Sequence, residues 1–174
     1  MNSMFLRMEN IVHIDLSELN LNYLTDFINV FGNTSSLQTV NLGDWNASNI
    51  NGSMRSLFSG SNLSDYTFLE NWDVSKVTEM KYMFNDANVS MLDLSAWDTS
   101  SLQDATGMFN GFSSSQTLNL GYWESDSLVN RPNNLSVLGV NVYCHVEGDN
   151  NTAGTIETTA GTFNCIGPVA PDSP

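Results

Sequence analysis

The sequence has few cationic residues and no long apolar run. Five Lys and Arg stand against nineteen Asp and Glu, which gives a formal net charge of −14 at pH 7 and a pI near 4.1. This charge repels both a nucleic-acid backbone and an anionic membrane surface. No stretch of roughly eighteen or more apolar residues is present to span a bilayer. The composition therefore argues against a nucleic-acid partner and against membrane insertion.

Histidine and cysteine are also scarce, with two of each. His145 adjoins Cys144, and the other histidine, His13, lies far away in the chain, so a zinc site is not expected. Neighbouring residues of one strand face opposite sides, so His145 is not placed to act as a base for the Cys144 thiol. No nucleophile–base pair, metal motif or phosphate-binding motif occurs elsewhere. We therefore expect a protein that is not an enzyme and has no catalytic residues or cofactor.

What the sequence does contain is an internal repeat of about 26 residues. Four tryptophans recur at separations of 27, 25 and 26 residues, a leucine lies three residues before each, and a phenylalanine follows about half a repeat later. The three series are Leu16, Leu42, Leu69, Leu94 and Leu120; Trp45, Trp72, Trp97 and Trp123; and Phe31, Phe58, Phe84 and Phe109. A repeat this short cannot bury its own apolar face, so neighbouring repeats must stack, and these residues are predicted to form the core.

Each repeat shows two hydrophobic periods in succession. Apolar pairs two residues apart, such as Ile14 and Leu16, predict a short strand with one buried face. Later in the repeat the spacing becomes i, i+3, i+4, as in Met80, Met83 and Phe84, which predicts one or two helical turns. The residues that follow each tryptophan are rich in Asp, Asn and Ser, which suits a turn and a helix N-cap.

These patterns divide the chain into three regions. Residues 1–131 are predicted to be an α/β repeat solenoid of the leucine-rich-repeat type, in which short parallel strands alternate with short helices over a half unit plus about five units. Residues 132–167 lose the helical spacing and predict a small C-terminal β cap, because apolar residues alternate from Val140 to Val146. Residues 168–174 predict a linker or tail.

Two stretches show the repeated pattern most completely. They are Leu92–Ser100, which continues to Met108 and Phe109, and Trp72–Met80, which continues to Met83 and Phe84. Both closely resemble the repeat of BspA-like leucine-rich bacterial surface proteins. The resemblance covers residue 1 to about residue 128. It implies a secreted or surface-attached protein with a role in adhesion, and it brings no catalytic residues with it.

Mostly polar side chains recur between the two buried positions of each predicted strand, where stacking would place them on the exposed face. These candidates for a binding surface are Asp15, Asn41, Phe68, Asp93 and Asn119. Asp44 and Glu70 lie nearby, and with Asp15 and Asp93 they are candidates for Ca²⁺, which takes about six to eight oxygen ligands. Because no compact Asp-rich calcium loop is present, solvated surface charge is the alternative interpretation.

The N-terminus is predicted to begin inside a repeat. Met1, Met4 and Phe5 have the i, i+3, i+4 spacing of the later helical segments, which predicts that Met1–Phe5 form the closing helix of an interrupted repeat. The apolar end of the stack would then be open. We expect this end to contact further repeats, another domain or further copies of the chain.

Two classes of function remain after these exclusions. The first is a secreted or cell-surface module for non-catalytic adhesion to, or recognition of, a protein or glycan on another surface. The second is a self-assembling structural subunit or spacer, such as part of a filament, stalk or surface layer. We favour the first, because repeat arrays commonly bind partners with their extended surfaces.

Cys144 and Cys165 both fall in the predicted β cap, which suggests a disulfide and an oxidising compartment, with two buried thiols as the alternative. Such a bond should stabilise the folded chain by about 3 kcal/mol in the chain-entropy account, because it closes a loop in the unfolded state. Mass spectrometry of the non-reduced, alkylated protein measures it, and we expect neither cysteine to be alkylated. Alkylation of both would contradict the prediction.

Overall fold

The computed structural model describes residues 2–112 and 116–121, together with the main chain of three further strands. The strands are β1 (His13–Asp15), β2 (Thr39–Asn41), β3 (Met91–Asp93), β4 (Thr117–Gly121), β5 (Asn141–Cys144), β6 (Thr155–Thr158) and β7 (Gly161–Asn164). A 3₁₀ helix spans Thr67–Asn71. β1 and β2 form one parallel sheet, β3, β4 and β5 form a second, and β6 and β7 form an antiparallel pair.

The predicted α/β repeat solenoid is wrong. The described residues contain no α-helix, and their only helical element is the five-residue 3₁₀ helix. Regular structure is otherwise limited to strands of three to five residues in sheets of two or three strands. No helix in this part of the chain has the length and hydropathy needed to cross a membrane. Hydrogen-bonded turns occupy the places of the predicted helices.

Two of the parallel strand pairs, β1 with β2 and β3 with β4, nevertheless have the same offset along the chain. Ile14 lies opposite Val40 in the first sheet and Leu92 lies opposite Leu118 in the second, an offset of 26 residues in both. Successive repeats therefore lie side by side in register. We divide the described stack into five units, residues 2–26, 27–52, 53–78, 79–103 and 104–121. In the third unit a strand is replaced by the 3₁₀ helix. This replacement separates the sheet of β1 and β2 from the sheet of β3, β4 and β5.

A second set of contacts between units runs through the segments that carry the repeated phenylalanines. We call residues 2–7, 27–33, 53–60, 79–86 and 104–111 the phenylalanine segments. In the fourth, the N–H groups of Met80, Tyr82, Phe84 and Asp86 donate to carbonyls of the fifth, at N···O distances of 2.8 to 3.0 Å. The Met83 N–H, between them, donates to the Met80 carbonyl of its own segment. In the first three segments, the N–H groups of alternate residues likewise donate to carbonyls of the following segment.

Residues in the left-handed conformation explain why these segments are not helices. Each segment has two such residues four positions apart, with positive φ. They are Ser3 and Arg7, Asn29 and Asn33, Ser56 and Gly60, Tyr82 and Asp86, and Gly107 and Gly111. An α-helix needs negative φ throughout and uses its N–H groups internally, so these residues prevent it and allow alternate N–H groups to reach the next unit. The i, i+3, i+4 spacing therefore buries Met80, Met83 and Phe84 without a helix.

The phenylalanine rings form a continuous stack through the core. Phe5, Phe31, Phe58, Phe84 and Phe109 follow one another at centroid separations of 5.8, 5.5, 5.8 and 6.1 Å, with interplanar angles of 12° or less. Nearly parallel rings at this separation attract each other beyond the gain from burial alone. The last four rings are fully buried. One side chain per unit thus packs against its equivalents in the neighbouring units.

The leucines and tryptophans predicted for the core are also buried where they are described, with exposed fractions of 8% or less. Trp45 packs edge-on against Trp72 at a centroid distance of 5.2 Å. The Trp97 indole Nε1 donates to the Leu69 carbonyl at 2.9 Å, which links the third and fourth units. Trp123 lies outside the described residues.

At the N-terminus the described residues are not helical, and at the C-terminus only part of the predicted β cap is described. The helix predicted for Met1–Phe5 is wrong, because residues 4–7 form a turn and the N–H groups of Ser3 and Phe5 donate to carbonyls of the second unit at 2.9 and 3.0 Å. In the predicted β cap, β5 pairs in parallel with β4, and β6 pairs with β7. The side chain of Cys144, all of Cys165 and residues 168–174 lie outside the described residues, so the disulfide stays a prediction.

Truncating one ring of the phenylalanine stack should destabilise the fold. Phe58 lies between the rings of Phe31 and Phe84 and is fully buried, so Phe58→Ala should lower the free energy of unfolding by about 3–5 kcal/mol. Tyr23→Ala is the control, since that side chain is 86% exposed and its removal should change stability by about 0.5 kcal/mol or less. Urea unfolding measures both. A loss below about 1 kcal/mol for Phe58→Ala would contradict a stabilising role for the stack.

Candidate functional site

The five predicted strand-face residues do not form one exposed row. Asp15 and Asn41 are exposed, Asp93 is half-buried and Asn119 is buried. The Asn119 Nδ2 donates to Asp93 Oδ2 at 3.0 Å, so these two side chains bind each other across units. Phe68 lies in the 3₁₀ helix and packs, partly buried, against the core. The predicted face is therefore interrupted in its middle.

The polar residue at the end of each of three strands closes a tight turn. Asp15 Oδ1 accepts hydrogen bonds from the Ser17 N–H at 2.9 Å and from Ser17 Oγ at 2.7 Å. Asp93 Oδ1 accepts the same pair from Ser95, at 2.9 and 2.6 Å. Asn41 Oδ1 accepts from the N–H two residues later at 3.0 Å. These are Asx turns, in which the side-chain oxygen substitutes for a main-chain carbonyl.

A second row of Asx turns follows the tryptophans. Asp73 accepts from the Ser75 N–H at 3.1 Å and from its hydroxyl at 2.6 Å, and Asp98 accepts from the Ser100 N–H at 3.0 Å. Asn46 makes the equivalent turn in the second unit, at 3.3 Å. The sequence predicted a turn and a helix N-cap at these positions. The turn is present, but no helix follows it.

These hydrogen bonds keep the surface acidic. The serine two residues after each of Asp15, Asp73 and Asp98 lowers the pKa of the carboxyl group, because its hydroxyl and N–H donate to the charged form. A carboxylate with a lowered pKa stays ionised at neutral pH and is a poor general acid. The two rows of turns thus carry fixed negative charge.

An acidic cleft opens where the 3₁₀ helix interrupts the strands, between the third and fourth units. It has a volume of about 220 Å³, and its lining includes the carboxylates of Asp65, Glu70 and Asp93 but no Lys or Arg. Tyr66 also lines the cleft, and its hydroxyl lies 2.8 Å from Ser61 Oγ. Burial raises the pKa of Tyr66 to about 12, so its hydroxyl stays neutral at physiological pH.

The cleft brings together two residues that the sequence singled out and one that it did not. Glu70 and Asp93 were predicted as candidates in separate units, with no sign that they would share a site. Asp65 was not predicted. Its Oδ1 accepts from the Thr67 N–H at 2.8 Å, in the same kind of turn that Asp15 forms. The Asp-x-Ser/Thr spacing is the signal that could have identified it.

The four calcium candidates do not converge on one position. Asp15, Asp44, Glu70 and Asp93 come from the first, second, third and fourth units respectively. Both carboxylate oxygens of Asp93 already accept hydrogen bonds, from Ser95 and from Asn119. Across residues 2–112 and 116–121, no group of three or more His, Cys, Asp or Glu side chains is placed to hold a metal ion.

Comparison with known proteins adds a family to this geometry. A family model described as "Mycoplasma protein of unknown function, DUF285" matches residues 1–123 of the 174 residues. The chain belongs to the DUF285 family. No curated protein and no solved structure matches it. The family description names no activity, so any function has to be argued from the chemistry of the surface.

The DUF285 chain has a second cleft, between its first and second units. Its volume is about 230 Å³, and Asn20, Asn22, Asp44 and Trp45 are among the residues that line it. The Trp45 Nε1 is buried and has no hydrogen-bond partner among the described residues. Asp44 is the only carboxylate in the lining, against three in the acidic cleft. The acidic cleft is therefore the stronger candidate for binding a charged group.

The acid sensitivity of the fold should depend on the serine-bound carboxylates. The folded-state pKa values of Asp73 and Asp98 lie below the ordinary value of 3.8, so these groups stabilise the fold fully above that value. Their contribution is lost as the pH falls through the folded-state pKa. The double variant Asp73→Asn, Asp98→Asn keeps the acceptor oxygens without the titration. It should lose less stability than the wild type between about pH 5 and about pH 2.

Urea unfolding across this pH range measures the difference. Asp44→Asn is the matched control, since Asp44 is exposed and accepts no hydrogen bond from the described residues. It should retain the acid sensitivity of the wild type. Superimposable pH curves for the double variant and the wild type would show that the serine hydrogen bonds do not favour the ionised form of these carboxyl groups in the folded state.

Proposed function

We propose that this DUF285 chain is a non-catalytic recognition module, secreted or held at the cell surface, that binds a basic segment of another protein. One observation carries the proposal. The cleft at the interruption of the strands is lined by three carboxylates and by no cation. A lysine or arginine side chain is the group that such a lining binds most strongly, through charge-assisted hydrogen bonds.

The charge of the surrounding surface supports a basic partner. The chain has a formal net charge of −14, which attracts cationic surfaces over distances longer than direct contact. Among the described cations, Lys81 pairs with Asp104 at 3.0 Å and the Lys76 Nζ donates to the Ser48 carbonyl at 3.1 Å. Neither lines the acidic cleft, so no described Lys or Arg neutralises its carboxylates.

Burial of the aromatic side chains favours a protein partner over a glycan. The tryptophans and the last four rings of the phenylalanine stack are buried, so these faces are not available to stack on a sugar ring. Among the described residues, the exposed large aromatic side chain is Tyr23, in the first unit and remote from the cleft along the stack. A neutral glycan also has no charge to pair with three carboxylates.

The extracellular location and the absence of catalysis rest on separate grounds. The resemblance of the repeats to those of BspA-like surface proteins supports secretion or surface attachment and a role in adhesion. The lowered pKa values of Asp15, Asp73 and Asp98 argue against a general-acid role for these three carboxyl groups, because a general acid needs a pKa near the working pH.

Glu70→Gln tests the proposal. The Glu70 side chain is exposed and lines the cleft, so its neutralisation should leave the fold unchanged. The purified chain is applied to an array of extracellular proteins and glycans, and the affinity for each bound partner is then measured by calorimetry. We expect the partners to be proteins with exposed Lys or Arg, and Glu70→Gln to weaken binding by roughly tenfold or more.

Glu18→Gln is the matched control, because it makes the same charge change on an exposed residue of the first unit. It should leave the affinity within about twofold, and added salt should weaken binding by the wild type and by this control. An equal loss for both variants would show that net charge alone attracts the partner. Partners that are exclusively glycans would contradict the proposal.

A further inference from the structure

Large exposed apolar side chains are confined to the first unit of the described stack. They are Met4, Met8, Val12, Leu19 and Tyr23, with exposed fractions of 48, 45, 37, 49 and 86%. We call these five residues the first-unit face. The residues 26 positions after Met4 and Leu19 are Val30 and Trp45, which are buried because the first unit covers them. The first unit has no such cover among the described residues.

β1 borders this face and has one neighbouring strand. The Val12 carbonyl accepts a hydrogen bond from β2 at 3.3 Å, and the Leu16 N–H donates to β2 at 2.8 Å. Main-chain groups alternate sides along a strand, so the N–H and C=O groups of His13 and Asp15 point away from β2. No described strand pairs with that side of β1. It is an open strand edge, which natural proteins usually cover or pair.

This edge is complementary to itself. When the β1 of a second copy lies antiparallel, with Ile14 opposite Ile14, His13 of each copy lies opposite Asp15 of the other. These are the residues whose N–H and C=O groups point outward, so four main-chain hydrogen bonds form. The same register sets the exposed His13 imidazole beside the exposed Asp15 carboxylate of the other copy, a favourable cross-strand pair.

We propose that two copies of the chain dimerise through the first-unit face, with β1 pairing antiparallel across a two-fold axis. The contact covers the five exposed apolar side chains and pairs the open edge in one step. It uses the same surface on both copies, so it closes at two and leaves no second interface to extend. The acidic cleft lies in the third and fourth units, so this contact does not depend on the binding role proposed above.

A parallel contact with a further repeat is the competing arrangement. The carbonyls of Asn2, Met4 and Leu6 occupy the positions that accept hydrogen bonds in the second unit, and they accept none from the described residues. A parallel neighbour could donate to them. It would leave His13 and Asp15 without their complementary pairing, because parallel strands set equivalent positions side by side. Such a contact is head-to-tail and would continue beyond a dimer.

Sedimentation equilibrium of the full chain, over a wide range of protein concentration, distinguishes these arrangements. We expect a monomer–dimer equilibrium that stops at two copies. Each copy carries a formal charge of −14, so added salt should strengthen the dimer by screening repulsion between copies. A chain that stays monomeric at high concentration and high salt would overturn the proposal, and so would growth into larger oligomers.

Two variants assign the dimer to this surface. Leu19→Asp places a charge on an exposed side chain and should weaken dimerisation by roughly tenfold or more. His13→Pro removes an outward-facing N–H while leaving the pairing with β2, as proline does in edge strands, and should also weaken it. Glu70→Gln should leave the dimer unchanged, and Leu19→Asp should leave binding at the acidic cleft unchanged, so the two proposals can fail separately. Dimerisation unaffected by Leu19→Asp and His13→Pro would overturn the proposed interface.

Cross-linking tests the register. A mixture of His13→Cys and Asp15→Cys copies should form a disulfide between copies, because the proposed pairing sets these positions opposite each other at a distance that a disulfide can bridge. His13→Cys alone should form much less of it. Peptide mapping by mass spectrometry locates the bond. Equal cross-linking in the mixture and in the single variant would overturn the antiparallel register.

Discussion

In the phenylalanine segments, an N–H group at every second residue donates to a carbonyl of the following unit, and the rest of the structure depends on this hydrogen bonding. It fixes the offset between units at one repeat length, so equivalent side chains meet. The phenylalanine rings can stack nearly parallel because their segments are held in register. A unit shifted by one residue would lose both the hydrogen bonds and the ring stack.

The same constraint determines the outer surface. The chain has fewer than twenty residues between successive segments in which to pass through the strand position, and it does so through tight turns. Asp15, Asn41 and Asp93 close the turns after the strands, and Asp73 and Asp98 close those after the tryptophans. Much of the acidity of the surface therefore has a structural cause, since short polar side chains that accept from the main chain are what these turns require.

The sequence was sufficient to predict the repeat length and the residues at the core positions, but not the conformation between them. Apolar spacing identifies buried positions, and the i, i+3, i+4 pattern of Met80, Met83 and Phe84 is compatible with a helix and with the observed turns alike. The informative signal was elsewhere. Two residues after the repeated phenylalanine come Asn33, Gly60, Asp86 and Gly111, residue types that tolerate the left-handed conformation. For the acidic cleft, the sequence indicated Glu70 and Asp93 as separate candidates but not that they would share a site. Nothing in the spacing showed that the third unit would have a 3₁₀ helix in place of its strand.

The 3₁₀ helix that replaces the strand of the third unit makes this position along the stack different from the others. Regular units present the same turns at every repeat, so a partner that recognised only these turns could bind in several equivalent registers. In the third unit, Tyr66 is buried against Phe58 with its hydroxyl beside Ser61, and Phe68, in the 3₁₀ helix, packs against Trp72. Asp65, Glu70 and Asp93 meet around a cleft at this interruption of the strands. The 3₁₀ helix and the cleft beside it occur at one position in the described stack, so a partner that binds there is held in a single register.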